Sequence, residues 1–288
     1  MPSTIAVGID GSEPSKVALR WAMAAAAARR AQVSAVIATP PRRRGPGNKL
    51  PVQRGSTDEL ARARDLARSL SGVSGVTVAE VPGSPADVLL DISARVDLLV
   101  VGGHRQWGWQ RGWRRALSAS IPEQLANNTR TALCVARAIP DPTRGRIVVG
   151  HDGTSSHQAV RFACAEAAHR GWAVQLVSTW HYPSDTRPTS PDPAALLAES
   201  AAAAQRETIS EIGRDYPTVQ VDPLVCLGHP VDVLAQLAAA ADMVVVGSHG
   251  RHGLVSLLMG SVAIGLLHRL ESPVVIVPND VNAGSAAG

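Results

Sequence analysis

Lysine is nearly missing from this chain: of 28 cationic residues only Lys16 and Lys49 are lysines, and nothing after residue 49 carries an ammonium side chain. The phosphate loop Gly-x-x-x-x-Gly-Lys-Ser/Thr is therefore excluded from most of the sequence, and it is absent from the rest. Cysteine is scarce too. Cys134, Cys164 and Cys226 are too few and too scattered for a disulfide framework, and no Cys-x-x-Cys occurs. That usage fits a reducing compartment, so the cytoplasm is the expected location. No apolar run approaches the ~20 residues of a membrane helix, since the stretch Ala238 to Ala241 stops at Asp242. The short run Ile5 to Ile9 has no basic leader before it and is broken by Asp10, so no signal peptide is expected. With 45% hydrophobic and 18% charged residues, the chain is also too apolar to remain disordered.

A length of 288 residues predicts two domains at about 150 residues each, and the sequence repeats itself on that scale. Val7-Gly8-Ile9-Asp10-Gly11-Ser12 recurs as Val149-Gly150-His151-Asp152-Gly153-Thr154, an offset of 149 − 7 = 142. Gly83-Ser84-Pro85-Ala86-Asp87-Val88-Leu89 recurs as Gly228-His229-Pro230-Val231-Asp232-Val233-Leu234, and Asp97 to Gly102 recurs as Asp242 to Gly247, both 145 residues on. Three collinear matches define a tandem duplication. The expected division is a first domain over residues 1–138, a Pro/Gly/Arg-rich linker over 139–146, a second domain over 147–280 and a frayed tail over 281–288. Residues 1–141 carry 19 cations against 11 anions and residues 142–288 carry 9 against 13, so the copies have opposite net charge. That asymmetry can steer the copies together or attract separate partners.

Within each copy, β-branched runs alternate with helical patterns, the signature of a parallel α/β sheet. In the second copy strands are expected at Ile147 to Val149, Val174 to Ser178, Val219 to Val225, Met243 to Val246 and Val274 to Val277. Helices are expected from Ser156 to Arg170, Ala194 to Arg214, Pro230 to Ala240 and Gly260 to Leu270. Pro85 and Pro230 suit the first position of a helix. The predicted fold is two tandem doubly wound, Rossmann-like domains, each a five-stranded parallel sheet flanked by helices. The Pro-rich segments 40–57 and 181–193 read as loops.

In such sheets ligands sit at the carboxyl ends of the strands, where the strand order reverses. Two strand ends stand out. Asp152-Gly153-Thr154-Ser155-Ser156 follows the first strand of the second copy, and its side chains serve equally as a helix cap or as ligand contacts. Gly247-Ser248-His249-Gly250 follows the fourth strand and leads, after nine residues, to Gly260-Ser261-Val262. Glycines there let the backbone approach a ligand, and a helix opening at Gly260-Ser261 offers free N–H groups to a phosphate chain. A glycine-rich turn that merely folds compactly remains the alternative. The dinucleotide spacing Gly-x-Gly-x-x-Gly is not met at Gly150-His151-Asp152-Gly153, which argues against a nicotinamide enzyme.

Val-Gly-x-Asp-Gly-Ser/Thr, then Gly247-x-x-Gly250, nine residues, Gly260-Ser261, and finally Ser272-Pro273-Val274-Val275-Ile276-Val277 together resemble the universal stress protein family over nearly the whole chain. In that family the pattern marks members that bind ATP, often with a divalent ion. The resemblance implies that Asp152 and Gly153 lie near ribose and adenine, that Val177 or Ser178 contacts the base, and that Gly247, Gly250, Gly260, Ser261 and Val262 hold ribose and phosphates with Mg2+. The first copy keeps Asp10 and Gly102, but Arg105 stands where Gly250 does, so a degenerate first site and one nucleotide per chain are expected. Family members also dimerise through the last strand, which implies either an internal pseudo-dimer through Ala132 to Ala136 and Val274 to Pro278 or a homo-oligomer. An unidentified protein partner would read the nucleotide state.

The remaining features carry less. Trp107-Gly108-Trp109-Gln110-Arg111-Gly112-Trp113-Arg114-Arg115 is read as a loop that plugs its own pocket or packs on a neighbour, in preference to a nucleic-acid surface. His104, His249 and His252 lack the companions of a metal site, and Cys164 and Cys226 read as core residues. No nucleophile with an orienting partner is evident, so a regulatory binding module is favoured over a slow ATP-hydrolysing or adenylate-transferring enzyme and over a ligand-free scaffold.

Overall fold

The computed structural model of the chain describes residues 3–39, 54–70, 72–103, 120–180, 192–248 and 260–279. It divides into a unit ending at Ala138 and a unit beginning at Ile139. The first contains β1 (Thr4–Gly8), α1 (Glu13–Arg29), β2 (Gln32–Thr39), α2 (Arg54–Ser69), β3 (Val76–Pro82), α3 (Pro85–Ser93), β4 (Leu98–Gly102), α4 (Ile121–Asn128) and β5 (Ala132–Ala136). The second contains β6 (Arg146–Gly150), a 3-10 turn over Thr154–Ser156, α5 (His157–Arg170), β7 (Ala173–Trp180), α6 (Asp192–Asp215), β8 (Val221–Leu227), α7 (Pro230–Ala238), β9 (Met243–Gly247), α8 (Ser261–Arg269) and β10 (Val274–Val277).

Each unit has the same parallel order, β3-β2-β1-β4-β5 in the first and β8-β7-β6-β9-β10 in the second. The chain winds one way from the central strand and then returns to the other side, so the reversal falls between β1 and β4 and between β6 and β9. The expected doubly wound fold is present in both units. The central strands carry no polar alternation because both faces are covered: Ile147, Val148, Val149, Val244 and Val245 are fully buried. Pro223 is accommodated in β8, the outermost strand of its unit, where a missing N–H is tolerated.

The local causes are readable in pairs. Pro85 and Pro230 open α3 and α7, as expected. The glycines before them, Gly83 and Gly228, both take φ of +151°, and a Cβ there would lie 2.7 Å from Val88 or 2.9 Å from Val233. At the amino ends of the strands the two copies share a clamp. Asp97 accepts from Thr4 N–H at 2.8 Å and Ser3 Oγ at 3.0 Å, while Asp242 accepts from Arg144 and Arg146 N–H at 3.0 Å each.

Three expectations shift. The third strand of the second unit begins at Val221 instead of Val219, because Val219 N–H closes the turn after α6 on Tyr216 O at 3.1 Å. Helix α7 stops at Ala238 instead of Ala240: Ala239, Ala240 and Ala241 donate to carbonyls three residues back, so the end tightens into 3-10 geometry. Helices α2 and α6 begin at Arg54 and Asp192, inside segments read as loops; residues 40–53 and 181–191 lie outside the described residues. Among the described residues no helix is long and apolar enough to cross a membrane.

Candidate functional site

The carboxyl ends of β7, β6 and β9 lie side by side, since β6 pairs with β7 on one flank and β9 on the other. The chain leaving β6 passes through His151, Asp152 and Gly153, the last at φ of +99°. Asp152 N–H donates to Ser156 Oγ at 3.1 Å, Ser155 Oγ donates to Asp152 Oδ1 at 2.5 Å, and Ser156 Oγ donates to Gly153 O at 2.8 Å. The result is a closed polar turn that packs against β9 and holds the Asp152 carboxylate half-exposed. Across from it, Ser248 is buried and anchored by its N–H on Val277 O at 2.9 Å. Gly260 N–H then donates to Ser248 O at 2.7 Å, which pins the start of α8 to the end of β9 although nine residues separate Gly250 from Gly260. Among the expected site residues the structure thus gathers Asp152, Gly153, Gly247, Gly260, Ser261 and Val262 at one end of the sheet. Gly250 lies outside the described residues, as do His104, Arg105, the Trp/Arg stretch, His249 and His252.

Val177 stands level with Gly150, the last residue of β6, but β7 runs three residues further to Trp180 instead of ending at Ser178 as expected. The Val177 side chain is buried, and its carbonyl accepts from His151 N–H at 2.8 Å. Ser178, the looser candidate beside it, is also buried and hydrogen-bonded within the protein.

Helix α8 opens on Gly260 at φ −57° and ψ 143°, a residue without a side chain, and among the described residues no side chain caps its first amides. Ser261 is exposed and Val262 half-buried. The N–H groups of the first turn and the positive end of the helix dipole are therefore available to an anion. The first unit is arranged otherwise. Val277 stands beside Gly247 as Ala136 stands beside Gly102, an offset of 277 − 136 = 141, so Ser120 is opposite Ser261. At that helix start Glu123 closes a capping box, its Oε2 accepting from Ser120 N–H at 2.7 Å. Arg137 packs beside it against Gly103; burial pushes its guanidinium pKa down while the Glu123 charge opposes that.

The turn after β1 is filled as well. Asp10 accepts from Ser12 N–H at 2.9 Å, and a Cβ on Gly11 would lie 2.5 Å from the Arg62 backbone of α2. A Cβ on Gly102 would lie 2.5 Å from the Pro14 backbone. Asp10, Gly11 and Gly102 are thus accounted for by close packing of the first unit on itself.

Behind the Asp152 turn lies a buried polar cluster that sequence reading missed. His151 Nδ1 is 3.0 Å from Ser178 Oγ and Nε2 is 3.0 Å from Thr208 Oγ1. Gln205 Nε2 reaches Leu176 O at 2.9 Å, Ser178 Oγ at 3.0 Å and Leu224 O at 3.1 Å. The available signal was the difference between copies: the first unit has Ile9 and Ile37 at the positions of His151 and Ser178, with the same Ile9 N–H to Val36 O bond at 2.9 Å.

A glycine at a strand end, a helix that opens on glycine and an acidic turn thus meet at the reversal point of a doubly wound sheet, the place where such folds hold their ligands. The Universal stress protein family model matches residues 1–137 and again 143–278, and the chain belongs to that family. Universal stress protein Rv2005c of Mycobacterium tuberculosis is 29% identical over 283 residues, covering 94% of this chain and 96% of its own. Universal stress protein Rv1996 of the same organism is 29% identical over 310 aligned positions, covering 96% of each. Among solved structures, a universal stress protein from Archaeoglobus fulgidus DSM 4304 superposes with a TM-score of 0.64 at 13% identity, covering 96% of both chains.

Proposed function

We propose that the second domain, residues 147–280, binds one ATP with Mg2+ and that its occupancy is read by other proteins as a stress-response signal. Asp152 and Gly153 would face the ribose, β7 at Val177, level with the end of β6, the base, and Gly247, Gly250, Gly260, Ser261 and Val262 the ribose and phosphates. The observation that carries this reading is the contrast between helix starts: α8 opens on a glycine, which has no side chain to cap its first amides, whereas Ser120 opens α4 in a capping box with Glu123. A magnesium ion suits the donor set, because Mg2+ is commonly held by one or two carboxylates plus substrate phosphates, and Asp152 supplies one carboxylate on the described face. Bound there, the ion would neutralise phosphate charge in a site without lysine.

The first domain, residues 1–138, then serves as a nucleotide-free companion joined by the linker 139–146, ahead of the tail 281–288. The last strands, β5 and β10, are apolar throughout, and such strand edges are normally covered. Pairing through them, within the chain or between chains, follows as part of the proposal, as does action in the cytoplasm. Binding is favoured over catalysis because both ring nitrogens of His151, the imidazole nearest Asp152 in sequence, are spent on hydroxyls. Titration calorimetry with MgATP on the full chain is expected to give one equivalent per chain, lost in Asp152→Ala. Absence of heat, or two equivalents, would overturn the reading. Turnover of radiolabelled ATP that disappears in Asp152→Ala would favour the enzyme instead.

A further inference from the structure

The geometry points to His151 as a positioning residue: its imidazole ties the Asp152 turn to β7 and α6 and thereby sets the nucleotide affinity of the second domain. This rests on the reading of that domain as the ATP site. One proton arrangement accounts for the contacts of the ring. Gln205 must aim its amide nitrogen inward, because Leu176 O and Leu224 O both accept from it. Ser178 Oγ, 3.0 Å from the same nitrogen, can only accept from that amide, so its own proton is free for His151 Nδ1. The ring then carries its hydrogen on Nε2 and donates it to Thr208 Oγ1. The bonds of His151, Ser178 and Thr208 and that of Gln205 to Leu176 O are buried, the one to Leu224 O is part-buried, and each joins separate elements of the fold.

The position matters because His151 is the residue immediately before Asp152. Its backbone is fixed by Val177 O and its side chain by α6, so the turn that carries Asp152 cannot rotate or slide without breaking buried hydrogen bonds. Leaving such groups unpaired is costly. The first unit holds the same backbone with Ile9 and Ile37, and there the turn is closed by packing against α2. The polar cluster therefore accompanies the Asp152 turn and is replaced by isoleucines where the turn packs against α2.

Three variants test this. Thr208→Val removes the α6 hydroxyl at nearly constant shape, His151→Ile with Ser178→Ile copies the first unit, and His151→Gln restores an amide donor toward Thr208. With cooperative melting retained, Thr208→Val is expected to weaken MgATP binding about tenfold. The double variant should weaken it at least as much, and His151→Gln should fall between it and wild type. Nitrogen-15 shifts of His151 in the nucleotide-free protein should report the Nε2–H tautomer. Wild-type affinity in a folded Thr208→Val overturns the positioning role while the ATP site stands, and an Nδ1–H tautomer overturns the proton arrangement. A wild-type chain that gives no heat with MgATP overturns the site and this role together.

Discussion

Replacing Gly260 with aspartate separates a structural from a ligand-binding role for the start of α8, because the two consequences have opposite signs. Gly260 has φ −57° and ψ 143°, a conformation open to any L-residue, so the substitution introduces no backbone strain. At the N-cap an aspartate accepts from a first-turn amide and meets the helix dipole, a gain of about 0.5–1 kcal/mol over glycine. The same carboxylate would stand about 6 Å from a phosphate held on those amides, and at an effective dielectric of 20 two unit charges at that distance repel by about 3 kcal/mol. That corresponds to roughly a hundredfold loss in ATP affinity, reduced by whatever charge Mg2+ neutralises. Calorimetry with MgATP and thermal melting of the same preparation read both. An unchanged melting point or a small rise, together with binding weakened by at least tenfold, is the expected result. Undiminished affinity in a folded variant would refute the idea that these amides hold the phosphates.

Other outcomes follow from packing. Asp242→Ala strands the Arg144 and Arg146 amides at the entry to β6 and should cost about 2–4 kcal/mol in denaturant unfolding, with little effect on nucleotide binding. Arg170→Ala removes the partner of the fully buried Glu166, 2.9 Å away, and the cation lying 4.8 Å over Trp172. It should lower stability by about 3–5 kcal/mol, more than Glu166→Gln does. Burial pushes the Cys164 thiol up to about 11 from 9.0. Its contribution is complete below pH 9 and is lost as pH climbs toward 11, about 2–3 kcal/mol by linkage, so melting curves of wild type and Cys164→Ala should converge across that window.

The duplication and the strand order were open to sequence reading because both rest on local chemistry. Val274 to Val277 was placed to the residue, and Pro230 marked the start of α7, since apolar runs and proline act through the residue that carries them. The end of α7 was missed because nothing local distinguishes Ala238 from Ala240; the carbonyls that tighten it do. In the site, the glycines and Asp152 declared themselves by type. His151 did not, because its meaning depends on which face of α6 lands over β7, a fact of tertiary packing that no spacing within either segment encodes. A degenerate first site is expected from Arg105, which lies outside the described residues; the described ones show instead α2 seated on Gly11 and Glu123 folded back on Ser120.

The paired aspartates, Asp97 and Asp242, sit at the amino ends of the strands and make nearly the same bonds in both halves. What holds the strands of each half and what differs between the halves are thus lodged at opposite poles of the sheet. One pole can be rewritten, an imidazole for an isoleucine, while the other goes on fixing where the strands begin. A duplicated fold of this kind lets the carboxyl end of one copy drift from its twin without unravelling.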